Sequence, residues 1–292
     1  MTMVHPSHRG RLWMRALTGS EGQPAGGIAS VVQADAALAG DEARFIAVVP
    51  DPDNRFPHAR NGEVGLAEGW ALAKLVHDTL AADRDKPDDQ RRPLIAVVDV
   101  ASQAYGRKEE LLGIHLACGA ATGAYARARQ SGHPVVALLV GRAISGAFLA
   151  HGYQASRLIA FDDPGVLVHA MGKEAAARIT RRSVAELDLL GERVPPIAYD
   201  IRNYAKLGLL YRLLDGIAAD APTPENVETV RRVLEEAVAD IRASGSRDLS
   251  CRLASPEARE TRAASLRARE LIAAQWDDPD GASKGESDRV DT

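Results

Sequence analysis

Two short runs of small residues, each set between an apolar stretch and a helix-forming one, carry the chemistry that this sequence offers. The first is Ala101-Ser102-Gln103-Ala104-Tyr105-Gly106, after the apolar run 94–99. The second is Gly141-Arg142-Ala143-Ile144-Ser145-Gly146, after the run 135–140. In both, a strand is predicted to feed a tight turn from which a helix starts. The first N–H groups of a helix lack internal partners and its dipole is positive there, so such a turn solvates an oxygen anion. Ala143, Gly146 and Ala147 are small enough to let a ligand approach the main chain. Two such turns in one α/β unit point to a reaction that passes through an enolate or a tetrahedral oxyanion.

These turns need a scaffold. Hydrophobic residues are 46% of the 292, but aromatics are only 4%, so the core has to be built from Ala, Val, Leu and Ile, which favours layered α/β packing. A net charge of -4 and the absence of a long basic run argue against nucleic acid as a partner. Cys118 and Cys251 show no CxxC or Cys/His ligand spacing, so no metal site is expected. No apolar run reaches the ~18 residues of a membrane span. The N-terminus lacks the apolar region of a signal peptide. A reduced, cytoplasmic protein is the expectation.

Residues 28–34 and 43–49 read as strands, 64–82 as a helix, 157–161 as a strand and 166–170 as a further one. From about residue 175 the pattern is helical. Ser183 and Glu186 form a capping box, and a long helix over 224–243 is stopped by Ser244-Gly245-Ser246. Residues 255–275 read as one Ala-rich, charged helix with Pro256 in its first turn. The pattern predicts an α/β core with a C-terminal helical extension. The expected plan is an N-terminal arm over 1–25, a core domain over 26–245, a helical tail over 246–276 and a disordered tail over 277–292.

Residues 98–110 (VDVASQAYGRKEE) look like the D-T-P-G-A-Y-P-G loop of acyl-CoA carboxyltransferase alpha halves, and 141–147 (GRAISGA) like their G-E-G-G-S-G-G-A turn. Both motifs belong to the crotonase superfamily, whose shared feature is an oxyanion hole for a thioester enolate. The stretches 44–69 (RFIAVVPDPDNRFPHARNGEVGLAEG), 102–115 and 162–182 bring the chain closer to one family. It resembles the gamma subunit of biotin-independent malonate decarboxylase over roughly residues 11 to 215.

That resemblance implies a crotonase-like (ClpP/crotonase) α/β fold of repeated ββα units. It implies a carboxy-lyase built from two halves, in which a crotonase-like beta subunit completes a site between the subunits. The substrate it implies is a malonyl thioester on a small acyl carrier protein, converted to an acetyl thioester and carbon dioxide. A CoA-like prosthetic group of the phosphoribosyl-dephospho-CoA type belongs to the carrier protein, and an acyl-carrier transferase alpha subunit loads it. This chain itself is expected to bind no cofactor, no biotin and no metal.

The family pattern places one oxyanion hole at the backbone of Arg142 and Ser145–Gly146 and the other at Tyr105–Gly106. Ser102, Gln103, Ala104, Gly141 and Lys173 are the implied substrate-binding residues. Two departures stand out: Ala101-Ser102 replaces Pro-Gly, and Arg142 replaces Glu. Arg142 either holds the malonyl carboxylate, which would resist leaving if held too well, or pairs with an acid of the partner subunit. Ser145 with His169 also looks like the nucleophile and base of Clp-type serine peptidases, although a turn or N-cap role for Ser145 is favoured. His169 is otherwise a candidate donor of the proton that quenches the enolate. The remaining histidines, His58 among them, show no ligand spacing, and Glu109-Glu110 reads as a solvated first-turn pair. Lys173, Arg178, Arg181 and Arg182 form a basic group suited to phosphates or an acidic carrier protein. The competing functions are a carboxyltransferase that passes the carboxyl group to biotin, a Clp-like hydrolase and a non-catalytic scaffold.

Overall fold

A computed structural model describes residues 6–276. The expected disordered tail over 277–292 lies outside the described residues, as does the start of the arm. Chain order begins with α1 (Arg9–Thr18), β1 (Gln23–Ala25), β2 (Ile28–Leu38), β3 (Asp41–Val48) and α2 (Leu66–Ala82). It continues through β4 (Leu94–Val100), α3 (Arg107–Leu111), α4 (Ile114–Gln130), β5 (Val135–Ile144) and α5 (Ser145–Ala150). Next come β6 (Arg157–Phe161), β7 (Val168–His169), α6 (Lys173–Thr180), α7 (Val184–Arg193), α8 (Ile201–Ala205) and β8 (Arg212–Leu214). The chain closes with α9 (Pro224–Ser244), α10 (Pro256–Thr261) and α11 (Ala263–Trp276).

One sheet holds every strand, in the order β1-β2-β3-β4-β5-β6-β8, with β7 paired to the end of β5. The first three strands are antiparallel, and from β3 onward the ladder is parallel. β4 is buried at every residue, and β5 at all but Arg142. This is the continuous apolar reading of parallel strands covered on both faces. Helices α2 and α4 cover one face and cross where Gly69 meets Ala117: a Cβ on Gly69 would lie 2.7 Å from the Ala117 carbonyl carbon. The glycine is what allows the two helices to touch. The opposite face is covered by α1 and by the apolar stripe of α9, Val230, Val233, Leu234, Ala237, Val238 and Ile241.

Three boundaries differ from the sequence expectation. The arm is not an appendage: Trp13, Met14 and Leu17 of α1 sit in the main core, and β1 pairs with β2. The mean polarity of residues 9–18 hides a single strongly apolar stripe. The second turn begins later than expected, because β5 runs on through Gly141–Ile144. There it pairs with β7 (Ala143 opposite Val168, Ile144 opposite His169), and the chain bends only at Ser145. The helix expected over 255–275 is two, α10 and α11, with Arg262 between them out of helical geometry. The Ser183–Glu186 capping box is present, with the Glu186 amide donating to Ser183 Oγ at 3.2 Å.

Trp13 anchors the arm. Its ring is fully buried, tilted against Phe161 at 4.6 Å, and its Nε1 donates to the Ala219 carbonyl at 2.9 Å. Trp13→Ala leaves a cavity and an unpaired carbonyl, and should cost about 3–5 kcal/mol of stability by urea denaturation. His151 provides a second test. It is fully buried, with Nε2 at 3.1 Å from the Val97 carbonyl oxygen and Nδ1 at 3.0 Å from the Tyr125 hydroxyl. Burial pushes its pKa from 6.5 down to about 4. The unfolded chain therefore binds the extra proton between those values. The contribution of His151 to stability is complete above about pH 6.5 and is lost as pH falls through about 4. The melting temperature should fall more steeply over that window for the native chain than for His151→Gln.

Candidate functional site

The two turns meet at the carboxyl ends of β4 and β5, where α/β sheets place their ligand crevice. At the second turn Ser145 takes φ 64, a left-handed conformation for a residue with a side chain. Such a conformation costs on the order of 1–3 kcal/mol and persists where the surroundings impose it. α5 starts at Ser145, and among the described residues the amides of Gly146 and Ala147 have no acceptor. Gly146 lies on the wall of a cavity of about 390 Å³ lined also by Ser145, Phe148, His169, Pro196 and Tyr204, with further apolar side chains around them. At the first turn, Tyr105 and Gly106 likewise have amides without an acceptor among the described residues. The Tyr105 hydroxyl lies 2.7 Å from Ser145 Oγ and joins the two turns.

Several expected roles change. The Arg142 amide is not a free donor: it gives its hydrogen to Asp99 Oδ1 at 3.1 Å. Asp99 is 4% exposed, and a Cβ on Gly141 would stand 2.2 Å from the same oxygen, so Gly141 is small for the sake of Asp99 rather than of a substrate. The Arg142 side chain has no ion-pair partner among the described residues. Ala104 is fully buried and its amide is spent on the Val64 carbonyl at 2.9 Å. Ser102 accepts the Val64 amide at 3.0 Å through its carbonyl, so that oxygen is spent on the scaffold. Gln103 is at the site, with Oε1 lying over Gly146, where a Cβ would meet it at 2.0 Å.

His169 lines the cavity, stacked on Tyr199 with centroids 3.9 Å apart and planes 13° from parallel. Burial lowers its pKa, with Lys173 adding to the effect, against the hydrogen bond to Met171. Ser145 Oγ is bonded to Tyr105, and among the described residues no hydrogen bond joins Ser145 to His169, so the peptidase-like dyad is not formed. Lys173 is also occupied: its Nζ is 2.6 Å from Asp188 and lies 5.2 Å from the centre of the Tyr199 ring. Glu109 differs most from expectation. Its carboxylate is buried and pairs with His58, Oε1 to Nδ1 at 3.2 Å. Sequence reasoning missed it, and missed Asp99 as a clamp, because a helical first turn and a strand end look the same whether solvated or covered. The run Phe56-Pro57-His58-Ala59-Arg60, unusual for a loop, was the available signal.

Among the described residues no group of three or more His, Cys, Asp or Glu is placed to hold a metal ion, and no helix is long and apolar enough to cross a membrane.

The model of the malonate decarboxylase gamma subunit family matches residues 59–276. The chain belongs to that family. A chain of a Pseudomonas malonate decarboxylase hetero-tetramer, solved in complex with coenzyme A, is 57% identical; the match covers 92% of this chain and 99% of that one with a TM-score of 0.87. A chain of the Pseudomonas malonate decarboxylase hetero-dimer is 56% identical, covers 92% and 100%, and has a TM-score of 0.84. The Malonyl-S-ACP:biotin-protein carboxyltransferase of Malonomonas rubra is 34% identical over 191 residues, 65% of this chain. The match spans 62% of that curated relative's length. Transcarboxylase 12S, at 18% identity and a TM-score of 0.58 over 83% of this chain and 45% of its own, shares the fold. The fold is thus the crotonase-like α/β architecture that the resemblance implied.

In this gamma-family chain the Asp99 clamp is the most exacting part of the site. Gly141→Ala must displace the buried carboxylate and break its bond to the Arg142 amide. It should cost about 1–3 kcal/mol, read from the shift in urea midpoint at unchanged slope.

Proposed function

We propose that this chain is the gamma half of a malonyl-thioester decarboxylase whose site is completed by a crotonase-like beta subunit. The observation that carries the reading is the pair of unspent amides at Gly146–Ala147, set against an apolar cavity and tied by Ser145 to a second unspent pair at Tyr105–Gly106. Loss of carbon dioxide breaks the bond between the carboxylate carbon and the α carbon. Its electron pair moves onto the α carbon and the thioester oxygen. Two fixed N–H donors aimed at that oxygen are worth about 3 kcal/mol each, because they need no reorganisation as charge develops. The apolar walls remove water from the departing carboxylate, and that favours the more dispersed charge of the enolate.

The residues present fit a carrier-borne thioester: the cavity is long on apolar walls, with Pro195, Pro196, Leu207 and Leu209, and short on fixed charge. When bound, the carrier's CoA-like arm supplies the thioester carbonyl whose oxygen the amides receive. Gln103 and Tyr105 orient the acyl group from the mouth, where Tyr105 is 54% exposed. Arg142 has no counter-ion within the described residues, which supports one from outside: the malonyl carboxylate or an acid of the beta subunit. A reducing cytoplasm suits the two free thiols, Cys118 and Cys251. The carrier protein and the alpha subunit that loads it complete the proposed assembly.

The isolated chain should release almost no carbon dioxide from a malonyl-loaded carrier protein. Assembly with the beta subunit should restore release. Strong turnover by the chain alone overturns the two-half reading. The Malonomonas relative is named as a biotin-protein carboxyltransferase. Dependence of the assembled activity on a biotin carrier, with inhibition by avidin, would move the assignment to carboxyl transfer.

A further inference from the structure

Against Gly106 of the first turn lies a pair of groups that the proposed chemistry has not used. Glu109, on α3, has a side chain only 3% exposed. Its Oε1 meets His58 Nδ1 at 3.2 Å, and its Oε2 is buried with no hydrogen-bond partner among the described residues. Both groups press against Gly106. A Cβ there would stand 2.0 Å from Glu109 Oε2 and 2.5 Å from His58 Nδ1, so only glycine admits the pair to the main chain of the turn. Beneath them is a small separate apolar cluster of Ala59, Leu66, Ala104, Ile114 and Ala117, flanked by Phe56 and Cys118. Burying a carboxylate with one oxygen unpaired is costly and does nothing for the fold that an apolar side chain would not do better.

The same geometry is a useful way to hold an acid. An ionised carboxylate only accepts hydrogen bonds, so Nδ1 carries the hydrogen and Nε2 is the position left for other work. A carboxylate behind an imidazole fixes its tautomer and orientation and stabilises the imidazolium. The His58 ring is 58% exposed, so its outer edge exchanges protons with water.

Building on the proposed decarboxylation, we propose that His58 is the acid that protonates the acetyl enolate from the side of the Tyr105–Gly106 turn, and that Glu109 is its positioning residue. When carbon dioxide leaves, the electron pair of the broken C–C bond rests on the α carbon and thioester oxygen. The Nε2–H bond of the imidazolium breaks as a C–H bond forms at the α carbon. The ring is left neutral, and solvent returns the proton. Malonyl thioester and one proton thus give acetyl thioester and carbon dioxide. His169, stacked on Tyr199, is not needed for this step.

The test uses the chain assembled with its partner subunits and a malonyl-loaded carrier protein. Two rates are measured: carbon dioxide release, and incorporation of labelled carbon dioxide back into the malonyl group. An enolate that waits for its proton recaptures carbon dioxide. His58→Gln should lower release by about a hundredfold, the range of a lost general acid, while the ratio of exchange to release rises by about tenfold or more. Glu109→Gln should move the ratio in the same direction by less. A ratio is unaffected by a misfolded fraction, so partial unfolding cannot imitate the result. An unchanged ratio in His58→Gln, or a rise confined to His169→Gln, overturns the assignment. A native complex that releases no carbon dioxide would instead overturn the proposed function itself.

Discussion

One buried carboxylate sets the geometry of the reactive end of the sheet. Asp99 sits at the end of β4, accepts the Arg142 amide from β5, and lies 3.4 Å from the Gly10 amide at the start of α1. It has no cationic partner among the described residues and is held by main-chain donors, which satisfy a carboxylate at low cost when they are fixed. Three elements far apart in sequence are tied at one point. This explains why β5 runs on past the expected turn: with Arg142 pinned to Asp99 and Ala143 paired to Leu167, the chain has no freedom to bend before Ser145. The left-handed residue follows from that delay, and the orientation of α5 follows from the left-handed residue.

The same delay sorts the amides into two kinds. Those of Arg142, Ala143 and Ala104 are consumed by the scaffold, and those of Tyr105, Gly106, Gly146 and Ala147 have no acceptor among the described residues. A site for a transient anion is defined as much by the donors it withholds as by those it presents, because a donor already satisfied adds rigidity and no solvation. The Tyr105–Ser145 hydrogen bond keeps the two unspent pairs in register. It gives Ser145 a role as a strut, while the distinct demands of nucleophilic catalysis, an aligned base above all, are not met.

Much of the fold was readable because parallel strands buried on both faces give unbroken apolar runs, as at residues 94–100 and 135–140. The cap at Ser183 was equally legible, since its side chain acts on a neighbour three residues away. The turns were found by residue size. Their exact use was not. Whether an amide is free depends on Asp99, Val64 and Leu167, which reach it across the sheet, and single-sequence patterns carry no record of such partners. Lys173 misled for the same reason: its consumption by Asp188 on α7 is a tertiary fact. Glu109 looked solvated because helix periodicity cannot say that α3 is laid against the loop bearing His58.

The C-terminal helices bear on where this protein can be cut. Arg252, only 6% exposed, reaches back from beyond α9 and donates to the carbonyls of Tyr153 and Ala155, with its guanidinium 5.0 Å from the Tyr153 ring centre. Tyr153 is itself part of the cavity wall behind Ser145. A border drawn at Gly245 on grounds of sequence would therefore not trim an ornament. It would remove the brace behind the cavity and leave two carbonyls bare, so a shortened version of this chain has to extend past Arg262, whose own side chain steadies the Arg252 backbone.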